Sequence, residues 1–277
     1  MLTIDCPWPT RNPRSRKKTD GPRDPGEPGA GPVAGRTLAV HGADVLLIAG
    51  PELPAIPWLT IDTGRGKLSS FVELKDDAGR ARLRALLAEA DIFSQGYRPQ
   101  AIASLGFSPQ EAARINPGII YVSLSAYGHA GPWADRRGFD SLVQTATGFN
   151  HAEGQAAGIE GPKELPAQML DHATGYLMAF GAMMAKARQA REGGSWLVRV
   201  SLAQTGRWLW NLGRIAEGMK TEDLKGEAIR PFLEDMPSGF GLLSAVSHSA
   251  KLSRTPAFWA RPAVPLGSHA PEWPPRV

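Results

Sequence analysis

The stretch Ala90–Pro132, ADIFSQGYRPQAIASLGFSPQEAARINPGIIYVSLSAYGHAGP, decides the fold class. IFSQ is a short strand, broken by Gly96 and Pro99. FSPQEAARINPG is a helix with its punctuation intact. Ser108 suits the N-cap, Pro109 the first turn and Glu111 the capping-box position, while Asn116-Pro117 stops it. GIIYVSLSAYG is a mostly apolar strand, the pattern of a strand buried on both faces. Strand, helix, strand at this spacing describes a parallel unit of an α/β sheet.

The same alternation extends upstream. KLSSFVEL is a strand, and DDAGRARLRALLAEAD is a helix with Leu83, Leu86, Leu87 and Ala90 on one face and arginines on the other. Ala30–Leu53 gives a helix, a tight turn at Gly42 and a buried strand, Asp44–Ile48, ending at Gly50-Pro51. Residues 1–29 combine Pro, Gly, Arg, Lys and Asp without a helical or strand period and are expected to be a disordered head.

Downstream, residues 141–150 can form a short helix and Gly154–Pro166 a loop. Asp171 opens a long helix, His172–Arg191, whose inner face is expected to carry Tyr176, Leu177, Phe180 and Met184. SWLVRVSL is a strand and Ala203–Gly218 a further helix. Pro256–Val277, rich in Pro and Trp, is expected to wrap a surface. The expected fold is α/β, an open, mostly parallel sheet with flanking helices.

Composition sets outer bounds. The 277 residues, 42% hydrophobic and 21% charged, can bury a sizeable core. Net charge is +4, and the basic run Arg11–Lys18 reads as a solvated tail, so no nucleic-acid partner is expected. A single cysteine, Cys6, excludes an intrachain disulfide and fits a reducing compartment. No stretch approaches the roughly 18 apolar residues of a membrane span, and the N-terminus has no signal-peptide apolar core. The expectation is a soluble cytoplasmic protein without a membrane partner.

Single motifs say little. SAYGHAGP (Ser125–Pro132) follows a strand and could let backbone N–H groups approach a phosphate or thioester oxygen, or be an ordinary turn. Arg98 in GYRP sits at a strand end, where α/β sheets bind ligands, or is simply solvated. Asp171 at the start of a helix is by position a helix cap.

Together the blocks are specific. AGP followed by RTLAVHGADVLLI, then GRGKLSSFVELKDDAGR, then Ala90–Gly148 with its ADIF, GYRP, LG, NP, IY, SAYG, GP and GFD elements resemble, in order and spacing, the family III CoA-transferases (CaiB/BaiF family). The similarity runs from Ala30 to Leu209 and returns at RPAVPLGSHAPE. The resemblance implies an acyl-CoA:carboxylate CoA-transferase. Its substrates would be coenzyme A thioesters and a carboxylic acid, with no metal. It maps the family's covalent nucleophile onto Asp171, in LPAQMLDHATGYLMAFGAMMA. It maps CoA contacts onto Val72, Glu73, Leu74 and Lys75, onto Gly96, Tyr97 and Arg98, and onto Arg136, Arg137, Gly138 and Phe139. Lys75 and the arginines are suitable counter-charges for the phosphates of CoA. Tyr97 and Phe139 could pack on its adenine or pantetheine.

Family members are interlocked homodimers, so a homodimer is expected. α-Methylacyl-CoA racemases share the family but use a histidine in a segment resembling GHD. Here that segment is Gly138-Phe139-Asp140, and phenylalanine carries no proton. A catalytically inactive, shortened member is the other alternative. The family's first strand precedes AGP, whereas DGPRDPGEPG cannot make a buried strand, so that strand is expected to be missing. Only 68 residues follow Leu209, so the small domain is expected to be reduced. The implied layout is a head (1–29), a CoA-binding large domain (30–218), and a small-domain remnant with a C-terminal return segment (219–277).

Overall fold

A computed structural model describes residues 1–6, 29–53 and 55–275. Six parallel strands form one sheet: β1 (Leu2–Cys6), β2 (Asp44–Ala49), β3 (Lys67–Phe71), β4 (Ile92–Gln95), β5 (Ile120–Ser125) and β6 (Trp196–Ser201). Their spatial order is β3-β2-β1-β4-β5-β6. The connections reverse between β1 and β4, so all strand carboxyl ends share one edge and the switch point lies at the sheet centre.

The expectation of a missing first strand is corrected here. Leu2–Cys6 occupies the central slot, with Thr3 opposite Val45 on one side and Ile92 on the other. The resemblance places that strand immediately before Ala30. It lies instead upstream of Pro7, in LTIDC. The expected disordered head therefore fails for residues 2–6, and residues 7–28 lie outside the described residues.

Two helical layers cover the sheet. α1 (Ala30–Val40) and α7 (Met169–Glu192) pack on one face, over a core including Val45, Ile92, Ile120, Val122 and Met178. α3 (Asp77–Glu89) and α4 (Pro109–Ile115) cover Leu46, Phe93 and Tyr121 on the other. α1 is buried along its whole length, which explains why its sequence shows no polar stripe.

Local signals mostly held. Glu111 N–H donates to Ser108 Oγ, and Ser108 N–H to Glu111 Oε2, completing the capping box of α4. Gly42 turns the chain at φ +90°. A short helix, α2 (Pro57–Gly64), was not foreseen. α5 (Asp140–Ala146) matches the short helix, but α6 (Phe149–Ala157) replaces the start of the expected loop. It is set off by Gly148 and Gly158, both at positive φ. α8 (Leu202–Asn211) stops short of the expected Gly218.

The face expected to be buried on α7 is wrong. Phe180 and Met184 are 58% and 43% exposed, and the buried side is Leu170, Asp171, Thr174, Gly175, Met178, Ala179 and Ala182. Small residues win because α1 approaches closely. A Cβ on Gly175 would lie 2.6 Å from Val33 Cβ and 2.7 Å from the Ala30 carbonyl oxygen.

Beyond α8 the chain makes an antiparallel hairpin, β7 (Leu233–Ser238) and β8 (Gly241–Val246). Arg65, 1% exposed, anchors it by donating to Glu234 Oε1 and to the Val246 carbonyl, both at 3.0 Å. The final segment then wraps the β3 edge, as expected. His269 N–H donates to the Ser69 carbonyl at 2.8 Å, and Trp273 Nε1 to Leu86 at 3.0 Å. This covers donors and acceptors that an edge strand would otherwise expose.

Candidate active site

Asp171 is not the cap of its own helix. It lies in the first turn of α7, after Gln168, which caps nothing with its side chain. The cap comes from elsewhere in the chain. Asp140, fully buried at the start of α5, accepts the Asp171 N–H on Oδ2 at 2.8 Å, and a further hydrogen bond from the Leu170 backbone. Gln144 Nε2 holds the other Asp140 oxygen and also donates to the Ala167 carbonyl at 3.2 Å. Asp140 and Gln144 thus fix both α7's entry and the loop before it.

The Asp171 side chain faces a second helix terminus. Its Oδ2 accepts the Gly29 N–H at 2.8 Å, and the Ala30 backbone adds another hydrogen bond. Both amides belong to the start of α1, so the carboxylate sits at that helix's positive end. Oδ1 is buried and has no hydrogen-bond partner among the described residues. Asp171 is 1% exposed. Burial raises its carboxyl to about 7, the nearby Asp140 charge adds to this, and the Gly29 and Ala30 amides oppose it. Asp140 is also raised, by burial, against the pull of the Asp171 N–H, Gln144 and the Leu170 N–H. One oxygen oriented and the other bare is a geometry suited to nucleophilic attack by a carboxylate near neutral pH.

His172 is half-buried, and burial and then Arg36 hold its imidazole below the ordinary range.

The residues expected to contact CoA spread along the carboxyl edge of the sheet. Val72 is buried just past β3, Leu74 packs into the α3/α4 core, Glu73 is half-buried and Lys75 is exposed. Gly96 is buried at the end of β4, where a Cβ would come within 3.3 Å of Leu124. Gly96, Arg136, Arg137 and Gly138 line one small crevice. Gly138 is required there, since a Cβ would fall 2.9 Å from Ala126 Cβ and 3.0 Å from Val143. Phe139 is half-buried and precedes Asp140, so this run connects the crevice to the Asp171 site. Tyr97 packs on the α3/α4 core. Arg98 lines a different cavity, with Arg199 and His129.

Sequence reasoning missed Asp140, Gly29 and Ala30 as partners of Asp171. The signals were present in the GFD and AGP blocks, but only the fold shows that the two blocks meet at one carboxylate.

The model of the CoA-transferase family III matches residues 24–230, most of the chain. The chain belongs to CoA-transferase family III. The probable fatty acyl-CoA transferase Rv3272 of Mycobacterium tuberculosis is 31% identical over 209 residues, 70% of this chain and 52% of that protein. The acetyl-coenzyme A transferase nodX of Hypoxylon pulicicidum is 32% identical over 184 residues, 65% of this chain and 31% of its own length. The human succinyl-CoA:glutarate CoA-transferase is 32% identical over 168 residues, 56% of this chain and 38% of its own.

Among solved structures, a mutant of Rv3272 superposes with a TM-score of 0.62 at 25% identity, covering 76% of this chain and 55% of that one. A CaiB/BaiF family protein from Brucella suis gives 0.62 at 22% identity, covering 87% and 64%. This family III chain therefore spans between about a third and a half of the length of these curated relatives. Among the described residues no helix is long and apolar enough to cross a membrane.

Proposed function

We propose that this family III chain is an acyl-CoA:carboxylate CoA-transferase that works through a covalent intermediate on Asp171. The observation that carries it is the buried carboxylate with Oδ2 held by the Gly29 N–H and Oδ1 without a partner among the described residues. Relatives named for acetyl-CoA, fatty acyl-CoA and succinyl-CoA:glutarate transfer support the substrate class, an acyl-CoA donor and a carboxylic-acid acceptor.

The chemistry follows from the bonds available. Asp171 Oδ1 attacks the donor thioester carbonyl; the C–S bond breaks, CoA leaves as its thiolate, and a mixed anhydride forms. The thiolate attacks the aspartyl carbonyl, releasing the donor acid and leaving an aspartyl-CoA thioester. The acceptor carboxylate attacks that carbonyl, again expelling the thiolate. The thiolate then takes the acceptor acyl group and frees Asp171. The Gly29 N–H that holds Oδ2 is suited to hold the aspartyl carbonyl oxygen as it gains charge. Arg136 and Arg137, at the crevice leading to Asp140, are suited to the phosphates of CoA.

A homodimer belongs to the same proposal. Its support is the apolar side chains left outward on α7 and α8, including Phe180, Met184 and Trp208. Light scattering tests it, with a monomer mass as the contrary result.

The decisive experiment incubates the protein with acetyl-CoA, quenches with hydroxylamine and maps the adduct by mass spectrometry. A hydroxamate at Asp171 is expected. Absence of any adduct, with no CoA binding, would point to an inactive family member. Exchange of the α-proton without an adduct would point to racemase chemistry.

A further inference from the structure

Past α8 little of the chain is buried. Among residues 207–262 one residue is buried, and it is a histidine. His248, 9% exposed, follows the second strand of the hairpin. Just before it, Ser247 N–H donates to the Phe232 carbonyl at 2.8 Å; further on, Phe258 N–H donates to the Val40 carbonyl at 3.2 Å. Ser249–Pro256, between these two bonds, is exposed. His248 is therefore the side chain that anchors the open end of the hairpin to the body of the protein.

The surroundings of this ring come from three elements. The His41 ring, at the C-cap of α1, lies 5.2 Å away, edge to face. The Tyr176 ring, from α7, lies 5.8 Å away in the same arrangement, and its hydroxyl accepts from Ser249 Oγ at 3.3 Å. Arg36 of α1 and Arg65, just after α2, are the other charges that act on it. The carboxylates of this flank, Asp62 and Glu234, are paired with those two arginines. Lys251 and Arg254, in the segment that follows, are exposed.

The neutral ring fits this place and the charged ring does not. Ala250 meets Nδ1 with its N–H at 3.2 Å and its carbonyl oxygen at 3.4 Å, so either neutral tautomer finds a partner there. Nε2 is buried and has no hydrogen-bond partner among the described residues. An imidazolium carries a proton on both nitrogens, so it would bury an N–H without an acceptor, beside His41 and two arginines. Burial holds His248 below its ordinary range; the Ala250 hydrogen bond opposes this, and His41, Arg36 and Arg65 add to it. Simple packing is the bland role for the ring. A phenylalanine would fill that role equally, whereas a histidine makes the anchor depend on pH.

We propose that His248 is an acid-sensitive latch, which docks the hairpin and the segment after it onto α1 and α7 when neutral and releases them when it takes a proton. The sign follows from a ring that binds its proton less tightly docked than free. Docking is fully present above the free value of 6.5 and is lost as the pH falls from there. The opening is local, because the six-stranded sheet has its own two cores.

The test measures amide hydrogen exchange of the full chain at pH 7.5 and pH 5.5, corrected for the intrinsic exchange rate, while following the His248 ring by NMR. Protection at Ser247 and Phe258 should fall several-fold on acidification, to at most about tenfold for one proton titrating from 6.5. The fall should track the His248 ring signal, and the amides of β5 should not change. His248→Phe keeps a ring that cannot titrate, and His248→Asn keeps an oxygen for the Ala250 N–H. In both, protection should become equal at the two pH values. Constant protection in the parent, a fall shared by β5, or a pH dependence that survives either substitution overturns the proposal.

Discussion

Two charged clusters flank α1, and they are built on opposite principles. At its N-terminus, Asp140 and Asp171 face each other and are held by backbone N–H groups and Gln144. On its flank, Arg36 and Arg65 share Asp62, Arg65 also reaches Glu234 at 3.0 Å, and Trp259 Nε1 donates to Glu234 at 2.6 Å. The Arg65 guanidinium also lies over the Trp259 ring, 4.6 Å from its centroid. The second cluster balances its charges and ties the hairpin and tail to the sheet. The first leaves charge uncompensated, and the result is a raised carboxyl rather than a clamp. Balanced ions serve as fastening here, while unbalanced ones store reactivity.

The contrast can be broken at either cluster. Asp171→Asn should reduce hydroxylamine-trapped adduct by a factor of about 10³ or more, read by mass spectrometry. The same variant should be more stable than the parent at pH 8 and not at pH 4. The sign follows from a folded carboxyl near 7 against an ordinary 3.8. The fold bears no penalty below pH 4, loses stability as the pH rises from about 4 to 7, and is level above. After the cost of a buried amide, the expected gain at pH 8 is about 1–3 kcal/mol, measured by denaturant unfolding.

Arg65→Ala leaves Glu234 without its arginine and Asp62 with Arg36 alone, and should cost about 1–3 kcal/mol, with a matching fall in Tm. Adduct formation at low temperature should survive it, because Asp171 draws nothing from that cluster. Loss of both together would erase the distinction between clamp and site. Asp140→Asn keeps an oxygen for the Asp171 N–H but removes the neighbouring charge. The pH midpoint of adduct formation should fall below that of the parent. An unchanged midpoint would show that burial alone sets it. Smallest of all, Ser108→Ala should cost about 1 kcal/mol through the α4 cap, and leave adduct formation as it was.

Legibility followed the range of the interaction. The α4 capping box, the Gly42 turn and the Leu83–Leu86–Leu87 face of α3 depend on residues within a turn or two of each other, and the chain spells them out. The inner face of α7 did not read correctly. Hydrophobicity favoured Phe180 and Met184, while the close approach of α1 selected Gly175 and Ala182. The first strand was missed for a related reason. Its place beside β2 and β4 is set by pairing across the sheet, not by adjacency to AGP.

The amino-acid sequence by itself determined the α/β class, the family blocks and the choice of Asp171. These rest on local periodicity and on a motif carried in order along the chain. Only the tertiary structure decided what surrounds that aspartate. Gly29 is 142 positions away and Asp140 is 31 away. A carboxyl's acidity depends on burial and on charges within a few ångströms, whatever their distance along the chain.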